Sequence, residues 1–211
     1  MTDSFTLMEM LKADPKTRRV LGAVLPVDWL PKYRLRRKPR LFIINTDEST
    51  GPGEHWVLVF FTGYNHGIYF DSYGSDVLDT RIQDFININC YGYVCNKRHL
   101  QGYFSLTCGH FCFYVGRRLA RGFSLRRILS AFSYNTDYND FLVSKDFDCV
   151  MNECWFTNKM FEWIWWLSYV CFTIISSIIE CNIIKITYIF SEPASEGSMS
   201  IQCLYSIDHL L

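Results

Sequence analysis

The chain has 211 residues, 49% of them apolar and 20% charged, with a formal net charge of zero. That length suits one domain of ordinary size plus an appendage, with enough apolar side chains for a core and few charges for a soluble domain. The charge is uneven: residues 1–150 hold 19 Lys+Arg against 15 Asp+Glu (net +4), while residues 151–211 hold 2 against 6 (net −4), which excludes a chain of uniform character.

The elements read in chain order as follows. Residues 4–12 suit a short helix, with Phe5, Met8 and Met10/Leu11 at helical spacing, Asp3 or Ser4 as cap and Pro15 beyond the end. Residues 24–40 are basic and punctuated by proline, and read as a loop or extended segment. Three strand-like runs follow, Leu41–Asn45, His55–Thr62 and Gly67–Tyr73, the first two separated by the irregular turn TDESTGPGE and the last two joined as a hairpin through Tyr64-Asn65-His66-Gly67. Residues 77–88 carry a helical pattern at 78, 82, 85 and 86. Residues 108–121 form a second helix with a Phe111, Val115, Leu119 stripe and Gly122 just past its end. Residues 124–132 form a third, capped by Ser124. This order predicts an α+β domain with a mostly antiparallel sheet packed with helices and a cysteine, Cys108, at a helix N-terminus.

Past residue 150 the composition changes. Residues 151–190 are an apolar, aromatic-rich extension holding four of the six tryptophans, and 191–211 are a polar tail expected to be disordered. Trp163–Ile179 is a run of 17 residues without a charge. As a helix it would span about 26 Å, short of a ~30 Å hydrocarbon core, and Ser168, Thr173, Ser176 and Ser177 lower its hydrophobicity, so no stable membrane span is expected. Nine cysteines in no regular framework, with no secretory signal at the start, read as reduced thiols of a cytoplasmic or nuclear protein. Cys108, His110 and Cys112 have roughly zinc-finger spacing, but no second pair follows, so no metal is expected.

Four residues combine into a chemical site. His55 opens one strand and Asp71 ends the next, 16 residues later, so pairing of the two strands brings them to the same end of the sheet. Cys108-Gly109 opens a helix, and Gln101 lies seven residues before the cysteine. A thiol is a poor nucleophile until ionised, and a helix N-terminus and a neighbouring imidazolium both favour the thiolate. His55 would take and return the proton, and Asp71 would fix its tautomer. The Cys108 N–H and the Gln101 amide would hold the oxyanion, while Gly109 would leave room for substrate. Taken singly each is ordinary: a strand histidine is usually core or surface, a helix cysteine core filler, and an aspartate before Ser-Tyr-Gly a turn residue. The combination is what points to a catalytic site. His66, His99, His110 and His209 lack such a context and read as structural or surface residues.

The stretches NTDESTGPGEHW, YFDSYG and QGYFSLTCGHFC over residues 45–112 resemble the adenovirus protease (adenain) family, and most of all the adenovirus-like cysteine proteases of Maverick/Polinton elements and related viruses. The order His, acidic, Gln, Cys is that family's, as is the seven-residue interval from Gln to Cys; proteases for small ubiquitin-like modifiers usually space these one residue closer. The acidic member is Asp here, where adenoviruses of mammals use Glu. The resemblance covers roughly residues 1–145. It implies an adenain-like fold and a His55, Asp71, Cys108 triad with Gln101 as oxyanion donor; the break in composition and charge bounds the protease domain at 1–150, and the sequence itself requires no cofactor. The resemblance implies cleavage of viral or transposon capsid precursor proteins inside the cell, with packaging in virions. It also raises activation by a disulfide-linked peptide, near Cys90, and by DNA, through the basic run 32–40; a surface cysteine and a solvated loop are the plainer readings of those two features. The alternatives are an isopeptidase that removes ubiquitin-like modifiers and an inactive relic that keeps the motif.

Overall fold

The computed structural model describes residues 2–63 and 65–190, the side chains at 154–159, 161–162, 170–171 and 174–190 excepted. The polar tail 191–211 and His209 lie outside the described residues. The chain divides into two compact units at Asn158/Lys159.

In the first unit, α1 (Ser4–Ala13) is capped by Asp3, whose carboxylate accepts from the Thr6 N–H at 2.8 Å. Its buried face is Leu7, Met10 and Leu11 rather than the expected stripe; Phe5 is 74% exposed. Pro15 does more than end α1. It opens α2 (Pro15–Val20), a position where proline loses no hydrogen bond, with Asp14 as cap. Strand β1 (Leu21–Pro26) follows, then a 3-10 turn (Val27–Trp29), so the segment read as a loop from residue 24 begins with the end of a strand. Next come β2 (Arg40–Asn45), β3 (Trp56–Phe61), β4 (His66–Phe70), α3 (Thr80–Asn89), β5 (Gly92–Cys95), α4 (Cys108–Ala120), α5 (Leu125–Leu129) and α6 (Thr136–Phe190). Residue 64 is outside the described residues; Asn65, before β4, has φ 57°.

The sheet order is β1-β2-β3-β4-β5. It is mixed rather than mostly antiparallel: β2–β3 and β3–β4 are antiparallel, but β1–β2 and β4–β5 are parallel. Parallel pairing needs a crossover, which α3 supplies between β4 and β5 and the long basic segment supplies between β1 and β2. Both parallel partners were missed because β1 contains Gly22 and Pro26 and β5 is only four residues long.

Strands β2 and β3 are buried along almost their whole length, and their side chains alternate between two cores. Leu41, Ile43, Trp56, Leu58 and Phe60 meet α1 and α4, with Val143 and Phe147 of α6 in the same cluster. Phe42, Ile44, Val57, Val59 and Phe61 meet Ile82, Phe85 and Ile86 of α3. Helix α4 therefore runs against the centre of the sheet, and its first residue arrives at the edge where β3 begins and β4 ends. Helix α4 stops at Gly122 (φ 83°), where the Phe123 N–H reaches back to the Arg118 carbonyl at 3.1 Å.

The apolar run 163–179 lies within α6, in the second unit. Trp163, Trp165, Trp166 and Phe172 are exposed. Among the described residues no helix is long and apolar enough to cross a membrane.

Candidate active site

His55 is the last residue of the loop before β3, and Asp71 is the first after β4. The loop ahead of His55 is held by short polar side chains. The Asn45 side-chain oxygen accepts from the Asp47 and Glu54 N–H groups at 2.9 and 3.2 Å, and the Asp47 carboxylate accepts from the Gly53 N–H at 2.9 Å. The β3–β4 register pairs Leu58 with Phe70. Continued outward, it places Tyr73 opposite His55 and Asp71 diagonal to it. The geometry follows: the His55 ring lies 5.0 Å from the Tyr73 ring, and His55 Nε2 is 2.8 Å from Asp71 Oδ1.

Asp71 is 4% exposed and tightly fixed. Its Oδ1 also accepts from the Tyr73 N–H at 2.8 Å. Its backbone N–H donates to Asn96 Oδ1 at 3.0 Å, and the Asn96 amide donates back to its carbonyl at 2.5 Å. The turn closes with the Gly74 N–H on the Asp71 carbonyl, at 2.8 Å. Gly74 has φ 74°, and a Cβ there would meet the Arg98 carbonyl at under 3 Å, so this turn requires glycine.

Cys108 is the first residue of α4 and is 2% exposed. Its N–H has no partner within the helix and points with the positive end of the helix dipole. Burial opposes charge on the His55 ring, but the hydrogen bond to Asp71, the hydrogen bond to Cys108 and the two negative charges outweigh it and raise the His55 pKa to about 9. Because a carboxylate only accepts, Nε2 carries the proton shared with Asp71, and Nδ1 is the nitrogen left for the thiol.

Gln101 is 1% exposed and held at both ends of its amide. Its oxygen accepts from Ser72 Oγ at 2.7 Å, and its nitrogen donates to the Ser105 carbonyl at 2.7 Å and to the Tyr73 hydroxyl at 3.3 Å. Burial, then the charges of Cys108 and Asp140, push the Tyr73 hydroxyl above its ordinary pKa. The structure thus brings together all four residues singled out from the sequence, and adds Tyr73, Ser72 and Asn96. Cross-strand register could have singled out Tyr73, whereas nothing in CNKRH marks its asparagine.

Gly109 does not open space for a substrate; a Cβ there would meet Trp56, Leu7 and Thr2 at 3.3–3.4 Å, so it lets α4 pack closely on β3. Cys112 is buried with its thiol on the Trp56 carbonyl at 3.3 Å, and His110 stacks on Phe147 at 4.2 Å. Cys90 is no surface residue: its thiol donates to the Ile86 carbonyl at 3.4 Å, and burial raises its pKa. In the basic run, Lys38 turns inward onto the Asn89 carbonyl and the face of Phe61, while Arg34, Arg36, Arg37 and Arg40 line an open cavity of about 700 Å³. His99 sits between the rings of Tyr73 and Tyr103, at 5.4 and 4.5 Å.

No family model matches the chain, and no curated protein does. Solved structures do. The crystal structure of ASFV pS273R protease is 16% identical over 66% of this chain and 64% of that one, with a TM-score of 0.47. Its Se-Met form is 24% identical over 49% and 43%, with a TM-score of 0.35. The chain thus spans less than two thirds of the length of either. Both scores lie below 0.5, and the site stands on its own geometry.

Proposed function

We propose that this protein is a cysteine-type endopeptidase in which Cys108 is the nucleophile, His55 the acid–base and Asp71 its orienting carboxylate. The observation that carries the reading is the 2.8 Å contact of His55 Nε2 with Asp71, beside a cysteine that opens α4. His55 Nδ1 takes the Cys108 proton, and the thiolate attacks the scissile carbonyl carbon. The carbonyl electrons move onto oxygen, where the Cys108 N–H and the Gln101 amide receive them. For Gln101 the donor is the hydrogen now spent on the long 3.3 Å bond to Tyr73. As the C–N bond breaks, the leaving amine takes the proton from His55 and a thioester remains. His55 then deprotonates a water, which attacks the thioester and releases the acid and the Cys108 thiolate.

The substrates are capsid or core precursor proteins of a virus or Maverick/Polinton-type element, processed within the cell; this finer assignment is supported by the likeness of the HW, YFDSYG and QGYFSLTCGH motifs to adenovirus proteases. The exposed Arg34, Arg36 and Arg37 support contact with DNA.

The purified full chain, offered a library of random peptides and a ubiquitin-like probe ending in Gly-Gly, tests the proposal. Peptide cleavage that disappears when iodoacetamide alkylates Cys108 is the expected result. Attack on the probe alone would replace the endopeptidase by a deconjugating isopeptidase. Cleavage indifferent to alkylation would remove Cys108 from the chemistry.

A further inference from the structure

We infer that Asn139 and Asp140, near the start of α6, are positioning residues that clamp the loop 101–107 and so aim the Gln101 amide at the reacting carbonyl; this rests on the protease reading above. The loop joins the oxyanion donor to the nucleophile and has no strand or helix of its own. Apolar burial does not hold it, since Tyr103, Phe104 and Leu106 are all largely exposed. Polar bonds must fix its shape.

Some of those bonds are internal. The Ser105 N–H donates to the Gly102 carbonyl at 3.0 Å, and the Ser105 and Thr107 hydroxyls share a hydrogen bond of 2.7 Å. On the sheet side, the Ser72 carbonyl accepts from the Leu100 and Gln101 N–H groups at 2.8 and 3.2 Å. The remaining anchors come from two consecutive residues of α6. The Asn139 amide donates to the Leu100 carbonyl at 3.1 Å and is itself locked onto both backbone groups of Ser133. Asp140 spans the loop: one carboxylate oxygen accepts from the Gly102 N–H at 3.0 Å and the other from the Thr107 hydroxyl at 2.6 Å. These are the residues next to Gln101 and next to Cys108. At Gly102 the fit leaves no room, because a Cβ would sit 2.8 Å from Asp140 Oδ2.

The chemical consequence runs through Ser105. Its carbonyl takes one Gln101 amide hydrogen at 2.7 Å and thereby sets where the other points. If the clamp opens, Ser105 shifts and the donor swings with it. A displacement of about 1 Å in such a group costs on the order of 10²-fold in rate.

Asp140→Ala, Asp140→Asn and Gly102→Ala in the full chain, compared with wild type for peptide cleavage and for alkylation of Cys108 by iodoacetamide, test the inference. Alkylation forms no oxyanion, so a loss confined to cleavage identifies the loop. Expected are a kcat lower by about 10-fold or more for Asp140→Ala and Gly102→Ala, with KM within about threefold, and Cys108 alkylation within about twofold of wild type. Asp140→Asn retains one acceptor oxygen and is expected to recover part of the rate. Wild-type kcat in Asp140→Ala, from an active wild type, overturns the positioning role alone. Alkylation lost in step with cleavage overturns it too, by showing general support of the fold. A wild type that alkylates but cleaves nothing overturns the protease reading and the positioning role together.

Discussion

Cys108 and His55 act as one unit in the proposed reaction, so either one removed should cost nearly all of it. Cys108→Ala and His55→Ala are each expected to lower cleavage to background while the melting transition survives; a purified Cys108→Ala that still cleaves would end the assignment. The His55 pKa of about 9 adds a pH signature. Its folded value lies above the ordinary 6.5, so its contribution to stability is complete below about 6.5 and is lost as pH rises through about 9. The imidazolium that faces the thiolate disappears over the same alkaline range, and kcat/KM should fall there with an apparent pKa near 9. Asp71→Asn removes the chief cause of the upward shift, so the alkaline limb should move to lower pH, with a rate loss smaller than that of His55→Ala. A limb that stays in place would separate Asp71 from the titrating group. The adjacency of His55 and Asp71 was legible from two strands of the right length joined by a short turn. What was not legible is the support beneath them. Asn96 reaches the site from just past β5, and Asn139 and Asp140 from α6; no local pattern in the sequence announces a side chain whose partner lies tens of residues away.

Between elements, Asp14 does at the rear of α4 what Asp71 does at the front of the sheet. It caps α2, and its carboxylate accepts from Arg121 at 2.6 Å and Arg117 at 3.2 Å, tying the α1–α2 corner to the last turns of α4. Burial disfavours its charge, but Arg121, Thr17, the Lys16 N–H and Arg117 hold the pKa down at about 2. The stability it adds is therefore full above its ordinary 3.8 and is lost as pH falls through about 2. Asp14→Asn should lower the melting temperature at neutral pH, and the gap from wild type should close as pH approaches 2; a gap independent of pH would assign the effect to packing. The central elements β2, β3 and α4 were legible because their patterns are long and strongly apolar or periodic. Those missed, β1, β5 and α2, are short or contain Gly and Pro, and tertiary packing rather than local preference decides them. The same reasoning explains the stripe of α1. Phe5, Met8 and Leu11 have the right spacing, but Leu7, Met10 and Leu11 face the sheet, because a helix this short offers two candidate faces and its docking chooses between them.

For the molecule as a whole, the question is what the exposed aromatic helix past residue 158 does for the proposed protease. Among the described residues, the buried members of both cores end at Phe147, and every proposed site residue, positioning pair included, lies at or before Asp140. The charge supports the same division, since residues 1–150 are net positive and 151–211 net negative. Trp163, Trp165, Trp166, Tyr169 and Phe172 are all more than half exposed, an amount of aromatic surface that soluble monomers seldom leave open. A fragment of residues 1–158 is therefore expected to fold, to run as a monomer and to cleave with the kcat/KM of the full chain within about threefold. The full chain is expected to self-associate. Size-exclusion chromatography of both proteins, and alkaline carbonate extraction of membranes from cells expressing each, measure this directly. Carbonate release of the full chain together with self-association in solution would mark the helix as a contact between copies, whereas retention in the pellet would mark it as membrane-seeking despite its shortness. A fragment that aggregates, or that folds and does not cleave, would show that the later helix belongs to the working enzyme and that the boundary at Asn158 divides one functional unit.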